Sequence, residues 1–484
     1  MRHSLLVCSV LMFATACTVG PAIEKPTPSL PEQWGAHAEA NAAKYLSDRD
    51  VDSQWWRQFD DPVLVDLIER ARANNLDLRA AVLKVAQARA QRDVVAGNRG
   101  PSVSASGSYR RQRLSEYGTG TRLIDAINFP GDRDAIIDAL SEPHDVYQVG
   151  FDAGWELDLW GRVRRAVESA EAAFHASAAD LHGAQVSTIG EVARTYLELR
   201  GVQEQLRIAK RDLEATEDLL DLTNFRANGG LVTQLEVSAQ RTQRALSRAR
   251  LHELEQLETQ LLDRLALLLG QAPGSLRSEL TATASRPLPP AQLALGVPAE
   301  LARRRPDIRA AEARLQAAIA EVGVAVADLY PRITLVGGFL SESLRAQDLS
   351  EWGARQWSVG PSLSLPLFDG GRRRTVVELR KLQQQEAAIA YQRTVLAAWH
   401  EIDTMLDVYA RERRRNEELS AAVEASREAY EIAALRYRHG MSDFLVALDA
   451  QRSLLQAERA LSESNTLIAT RAVAVYKALG GGWE

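Results

Sequence analysis

Cysteine is nearly absent from this 484-residue chain, which carries only Cys8 and Cys17, so a disulfide framework is excluded. Positive charge is not in excess either. Against 58 Lys and Arg stand 64 Asp and Glu, a formal net charge of −6, which removes any general electrostatic case for nucleic acid as partner. Beyond the N-terminus no run of 18 apolar residues occurs, so a bilayer could be crossed only with strands. Signatures of bond chemistry are missing too. Gly118-Thr119-Gly120 lacks the third glycine of a dinucleotide loop, no Gly-rich loop ends in Lys-Ser or Lys-Thr, and no Ser elbow occurs. His175 and His182 lie seven apart without a Cys partner or an HExxH pattern. The expectation is a chain with no catalytic residue, no cofactor and no metal. With 46% hydrophobic and 25% charged residues it is nonetheless a folded chain.

Arg2 and His3 precede an apolar stretch, Leu5 to Ala16, too short to span a membrane and shaped like a secretory signal peptide. It ends Ala14-Thr15-Ala16-Cys17, small residues before a cysteine as in a bacterial lipoprotein signal, with Ala14 where Leu is usual. Cleavage would leave Cys17 as the only thiol. Acylation of Cys17 suits an oxidising compartment better than a free thiol does, and ordinary cleavage after Ala16 is the alternative. Thr18, not Asp, follows, which in resemblance to known lipoproteins favours the outer membrane.

The chain is a duplication. Asp77-Leu78-Arg79-Ala80-Ala81 matches Asp307-Ile308-Arg309-Ala310-Ala311 at an offset of 230, and Gly161-Arg162, Glu191 and Gly270 match Gly371-Arg372, Glu401 and Gly480 at 210. The extra length of the first copy falls between Arg110 and Pro143, which reads as an extended loop. Pro273, Pro287, Pro289, Pro290 and Pro298 mark a linker. The expected organisation is a signal peptide (1–16), a lipidated extended segment (17–61), a first repeat (62–272), the Pro-rich linker (273–298) and a second repeat (299–481).

Each repeat is expected to run short helix, strand, strand, long helix, turn, medium helix. No Gly or Pro occurs from Arg372 to His439, and 68 residues of good helix formers would extend roughly 100 Å. Val202, Leu206, Ala209, Leu213, Thr216, Leu220 and Thr223 step alternately by 4 and 3, a coiled-coil seam. It runs toward turns at Asn228-Gly229-Gly230 and His439-Gly440, after which helices return over about Thr233–Leu269 and Asp443–Leu479. These are too short to cover the long helices, so Leu76–Asn98 and Pro306–Tyr330 are expected to stack end to end with them.

Strands are expected near 102–111, 147–159, 332–340 and 356–367. Tyr147, Val149, Phe151, Ala153, Trp155, Leu157 and Leu159 alternate with small or acidic residues. A soluble sandwich could use such a pattern, but the segment length, the aromatics and the signal peptide favour a transmembrane barrel. Four strands cannot close, and an open edge is not tolerated in lipid. Two chains would give a bore filled by side chains, so a conducting wall needs three or more. Pro361 and Pro366 must then fall at bulges or a strand end.

Cys17-Thr18-Val19-Gly20-Pro21, Trp55-Trp56-Arg57-Gln58-Phe59, Leu157-Asp158-Leu159-Trp160-Gly161-Arg162, Arg303-Arg304-Arg305-Pro306-Asp307-Ile308-Arg309-Ala310-Ala311 and Leu448-Asp449-Ala450-Gln451-Arg452 resemble the outer membrane factors of tripartite efflux systems. The similarity is to the TolC-like family and its OprM-type lipoprotein branch, over essentially the whole mature chain. The resemblance implies a mixed α and β membrane protein: a homotrimer with a 12-stranded transmembrane β-barrel, four strands per chain, continuing into a periplasmic coiled-coil tube. It implies as partners a periplasmic adaptor, an inner-membrane transporter of the resistance-nodulation-division class and outer membrane lipids. The conduit would narrow at the turns, at Gly229, Gly230 and Gly440, with Tyr437, Arg438, Asp443 and Asp449 as gate candidates. Ser442 and Val446 stand where some members carry a gating Arg and Asp. Arg303 to Arg305 would cap or flank helices. Arg162, Arg164, Arg165 and Arg372 to Arg374, after strand ends, would suit anionic headgroups. A duct for protein secretion and a non-channel coiled-coil lipoprotein are the rival readings.

Overall fold

The computed structural model describes residues 19, 21, 43–47, 52–118, 132–281, 287–294 and 304–483. Cys17 and the expected signal peptide lie outside them. In chain order the strands are β1 (Leu46–Ser47), β2 (Ser102–Gln112), β3 (His144–Glu156), β4 (Leu293–Ala294), β5 (Arg332–Ser343) and β6 (Arg355–Ser364). The helices are α1 (Pro62–Asn74), α2 (Leu76–Gly97), α3 (Arg133–Ser141), α4 (Arg162–Asn228), α5 (Gln234–Leu268), α6 (Arg277–Leu280), α7 (Pro306–Ala327), α8 (Arg372–Arg438) and α9 (Phe444–Ala478). The duplication is exact in length where it matters for packing. α4 and α8 have 67 residues each, α5 and α9 have 35, and α2 and α7 have 22.

The chain divides into two compact units. One, built from residues 89–173 and 315–386, is a four-stranded antiparallel sheet with its adjoining helix ends, in the order β2-β3-β5-β6. The register lays the apolar alternation side by side. Ala105, Phe151, Phe339 and Trp357 form one cross-strand row, and Val103, Ala153, Gly337 and Val359 another. Rows on the opposite face read Ser104, Asp152, Gly338, Ser358 and Ser102, Gly154, Val336, Gly360. Neighbours across strands share a face, so one face is mainly apolar, giving way to Ser341, Ser343 and Arg355 toward one end. Val336 and Leu340 on the polar face are why β5 alternates less clearly in the sequence. Trp357, Val359 and Leu363 are two-thirds exposed or more in the single chain.

Two expectations shift here. Pro361 sits inside β6, opposite Leu335, but β6 is an edge of the sheet and can lose an amide donor, while Pro366 falls beyond it. β3 stops at Glu156, because Leu159 N turns back to Leu157 O and Asp158 caps α4 through Val163 N and Arg164 N at 3.0 and 2.8 Å. The segment expected as an extended loop before Pro143 carries α3, capped by Asp132. Most of the strand-end cations are committed within the chain. Arg162 forks onto Glu156 at 2.8 and 2.7 Å, Arg165 binds Glu168 and the Pro21 carbonyl, and Arg373 binds the Asp328 carbonyl. Arg372 and Arg374 stay exposed.

The second unit holds the described residues within 43–88, 174–314 and 387–483. Its core joins Ile189, Tyr196, Leu197, Leu265, Leu406, Tyr409, Ala472 and Tyr476, all 1% exposed or less. Trp55 and Phe59, in a segment expected to be extended, form a short 3-10 turn buried in this core, with Trp55 stacked on Tyr476 at 5.1 Å. The seam residues Val202, Leu206, Ala209, Thr216, Leu220 and Thr223 are buried. End-to-end stacking occurs at two equivalent joints built from different chemistry. Asn75 Nδ2 donates to the last turn of α5 at Leu268 O (2.8 Å) while its Oδ1 caps α2 at Leu78 N. At the corresponding place Arg305 donates to Ala478 O (2.6 Å), with Asp307 and Glu401 neutralising its charge. The helix-flanking role expected for the 303–305 cluster thus falls to Arg305. The linker carries α6, and β4 pairs with β1 in parallel.

Candidate functional site

The turns that end the two long hairpins are built alike. Leu231 N returns to Arg226 O and Met441 N to Arg436 O, with Gly230 and Gly440 at φ +70° and +73°, a conformation that glycine adopts without strain. Gly229 precedes the first of them and bonds back to Phe225 O.

They diverge at the next step. α5 starts with a full capping box, in which Leu235 N bonds Thr233 Oγ1 and Glu236 reaches back to Thr233 N at 2.7 Å. These bonds from Thr233 hold the Glu236 carboxyl below its ordinary range. At the equivalent place α9 has Asp443, whose side chain caps nothing, and Val446 stands where the box needs Glu. Asp443 is therefore an exposed carboxylate with no ion pair among the described residues.

Of the four gate candidates, the structure brings two together through a residue that sequence reasoning missed. Tyr437 is buried against Phe444, Ala447 and Leu448, with Leu219 and Leu222 of α4 packed on them. The Arg226 guanidinium lies over the Tyr437 ring at 4.4 Å, and its Nη2 donates to the carbonyls of Tyr437 (3.0 Å) and Arg438 (3.1 Å). Among the described residues the phenol hydroxyl of Tyr437 has no hydrogen-bond partner. Arg438 enters through its backbone alone, and its side chain is exposed. Asp449 lies apart, in an open groove of about 650 Å³ between α8 and α9 with Ser426, Ala429, Ala433, Leu445 and Val446. In sequence Arg226 looked like any cation favoured in a last helical turn, and only the neighbouring hairpin reveals its target. The arrangement holds two helical hairpins together and presents loose charge beside them. Nothing in it activates a nucleophile or polarises a substrate.

The described residues thus hold a sheet with two unpaired edges, duplicated hairpins of matched length and a clasp at the hairpin turns. The family model for outer membrane efflux protein matches residues 67–271 and again 297–481. The chain belongs to that family. It is 36% identical over 433 residues to the pyoverdine export outer membrane protein OpmQ of Pseudomonas putida, covering 90% of this chain and 89% of that one. Outer membrane protein OprJ of Pseudomonas aeruginosa is 32% identical over 493 residues, covering 100% and 97%. Among solved structures, the outer-membrane channel OprN superposes with a TM-score of 0.86 at 37% identity, covering 96% of this chain and 100% of that one. As a member of the family the protein is an outer membrane channel component of an efflux system.

Proposed function

We propose that three copies form the outer membrane exit duct of a tripartite pump, passing small molecules delivered by a periplasmic adaptor and an inner-membrane transporter. The observation that carries this reading is the four-stranded sheet. Most of its apolar residues share one face in register, and its outer strands β2 and β6 offer unpaired backbone that lipid cannot satisfy. Three copies supply twelve strands, enough for a wet bore along the Ser, Gly and Asp face. Arg372 and Arg374 are the cations left for anionic headgroups, and acylated Cys17 is the anchor. The duct closes where the hairpins turn, held by the Arg226 clasp, with Arg438, Asp443 and Asp449 as exposed charges and Gly229, Gly230 and Gly440 shaping the turns.

Pyoverdine export by a relative 36% identical supports small organic cargo rather than a secreted polypeptide. Mass measurement of the detergent-purified full chain tests the assembly: a trimer is expected, and a water-soluble monomer would overturn it. Deletion should lower resistance to small toxic compounds. Loss of a secreted protein with resistance intact would favour the secretion duct instead.

A further inference from the structure

All four strands of the large sheet meet helices at one end: β2 follows α2, β3 runs into α4, β5 follows α7 and β6 runs into α8. The other end carries the two connections, β2 to β3 and β5 to β6, so with the helices in the periplasm it faces the cell exterior. There the apolar stripes of the two edge strands stop in the same way. On β2 the outward residues run from Val103 to Tyr109 and then meet Arg111. On β6 they run from Leu363 to Trp357 and then meet Arg355. Each Arg stands eight residues from the far end of its stripe. Eight residues are about 26 Å of strand, or about 20 Å of height at a tilt near 40°. The reach of an arginine side chain carries the charge the rest of the way to the top of an apolar band about 25 Å tall.

Cations on a lipid-facing surface need anionic partners, and the chain supplies few. The Arg355 guanidinium lies over the Trp352 ring at 4.9 Å, and its Nη2 donates to Ser350 O at 3.1 Å. Among the described residues it pairs with no carboxylate, Asp348 and Glu351 of the same loop included. Arg111 has Asp145 at 3.4 Å, which also accepts from the Tyr109 hydroxyl at 3.1 Å. The Arg111 side chain is 65% exposed, and an ion pair that open is weak and readily exchanged. Both cations adjoin rings of the kind that settle at headgroup level: exposed Trp352 beside Arg355, and the Tyr109–Tyr147 pair, 5.1 Å apart, next to Arg111. A guanidinium stacked on an indole keeps its donor edge for a bidentate oxyanion.

We propose that Arg355 and Arg111 bind the phosphates of the outer-leaflet glycolipid, the bisphosphorylated, multiply acylated disaccharide at the base of lipopolysaccharide. The inference rests on the three-copy barrel proposed above, and it concerns the rim opposite Arg372 and Arg374. β2 and β6 are the edges of the sheet, so closing the barrel sets Arg355 of one copy and Arg111 of its neighbour on adjacent strands at each seam. A headgroup with two phosphates and several acyl chains matches such a pair. Its anions meet the two cations, and its chains lie along the two apolar stripes below them. A glycerolipid with one phosphate leaves one cation unanswered. The glycolipid thus bridges the seam between copies.

Native mass spectrometry of the detergent-purified full chain, titrated with bisphosphorylated lipid A, reads the occupancy. Trimers should retain lipid A, and phosphatidylglycerol should bind at least about fivefold more weakly. Arg355→Gln and Arg111→Gln should each weaken lipid A binding about fivefold, and together about 30-fold, the factor that one and two basic residues facing anionic lipid contribute. The pair Arg372→Gln and Arg374→Gln, at the opposite rim, should leave lipid A binding unchanged. Should the Arg355 and Arg111 double variant fail to assemble, the single variants carry the test. Undiminished lipid A binding by these variants overturns the proposal, as does equal binding of phosphatidylglycerol. A chain that purifies as a monomer would sink the assembly and the seam with it. Intact trimers indifferent to lipid A would sink the glycolipid site alone.

Discussion

Arg226→Ala removes three contacts between the hairpins at once: the face of the Tyr437 ring at 4.4 Å and the hydrogen bonds of 3.0 and 3.1 Å to the carbonyls of Tyr437 and Arg438. A guanidinium on an aromatic face contributes about 0.5–2 kcal/mol, and a hydrogen bond to a charged group about 1.5–3 kcal/mol. Both bonds leave one nitrogen and Arg226 is half-exposed, so the low ends apply and the clasp is worth about 2–3 kcal/mol per copy. That is roughly a 30- to 150-fold shift of the closed-to-open equilibrium, multiplied if three copies open together. Planar-bilayer recordings should show larger and more persistent openings. Cells carrying the variant should become sensitive to a bulky antibiotic that the outer membrane otherwise excludes. Arg226→Lys keeps the charge without the planar fork and should fall between. Tyr437→Phe should behave as the unmodified protein, because the hydroxyl it removes bonds to nothing. Conductance of Arg226→Ala equal to the unmodified channel, in trimers that remain intact, would refute the clasp. So would a Tyr437→Phe channel as open as Arg226→Ala, since the phenol and not the guanidinium would then be holding the tip.

Asp443→Ala, removing an uncapped carboxylate beside the second turn, should raise single-channel conductance; an unchanged value would count against Asp443 as a gate residue. At the helix joints, Arg305→Ala and Asn75→Ala should cost about the same, about 1–2 kcal/mol in unfolding measurements, because each leaves a helix-end carbonyl without its donor while the half-exposed carboxylates of Asp307 and Glu401 stay solvated; a much larger loss for Arg305→Ala would show that its ion pairs hold the joint. Burial, and then the nearby Arg309 charge, push the His182 imidazole below its ordinary 6.5. Its neutral stacking on Trp483 at 4.4 Å therefore contributes stability that is full above about pH 6.5 and lost as pH falls through the lowered folded value. Protection of the amides at 478–483 should fall with acid in the unmodified chain and much less in His182→Phe.

Periodicity carried most of the architecture. The hairpin turns, the return helices within a residue or so of Gln234–Leu268 and Phe444–Ala478, and the two-faced strands were legible because each depends on spacing along the chain. What was not legible depends on meetings between distant segments. Trp55 and Phe59 offer no period, and their burial becomes visible only once Tyr476 is beside them. Arg162 looks like its counterpart Arg372, yet Glu156 occupies the place that Pro366 holds in the second repeat, so one cation is paired and the other is exposed without an ion pair among the described residues. At the tip, Tyr437 could be singled out but not its mode of contact, since a tyrosine invites a hydroxyl bond and here contributes its ring.

The differences between the repeats point one way. Duplication supplied two hairpins of equal length, but the first has its return helix capped by Thr233 and Glu236, while the second has Asp443 and Val446 at those places. An N-cap interaction contributes about 0.5–2 kcal/mol, so the second turn is the more easily reshaped. The clasp partners reinforce the asymmetry: Arg226 reaches out from the first hairpin, whereas Tyr437 and the carbonyl of Arg438 only receive it. The second hairpin also carries Gln451, whose Nε2 donates to Thr216 Oγ1 of the first at 3.2 Å. The first hairpin thus has the capped turn and donates the clasp, while the second has the uncapped turn and receives it.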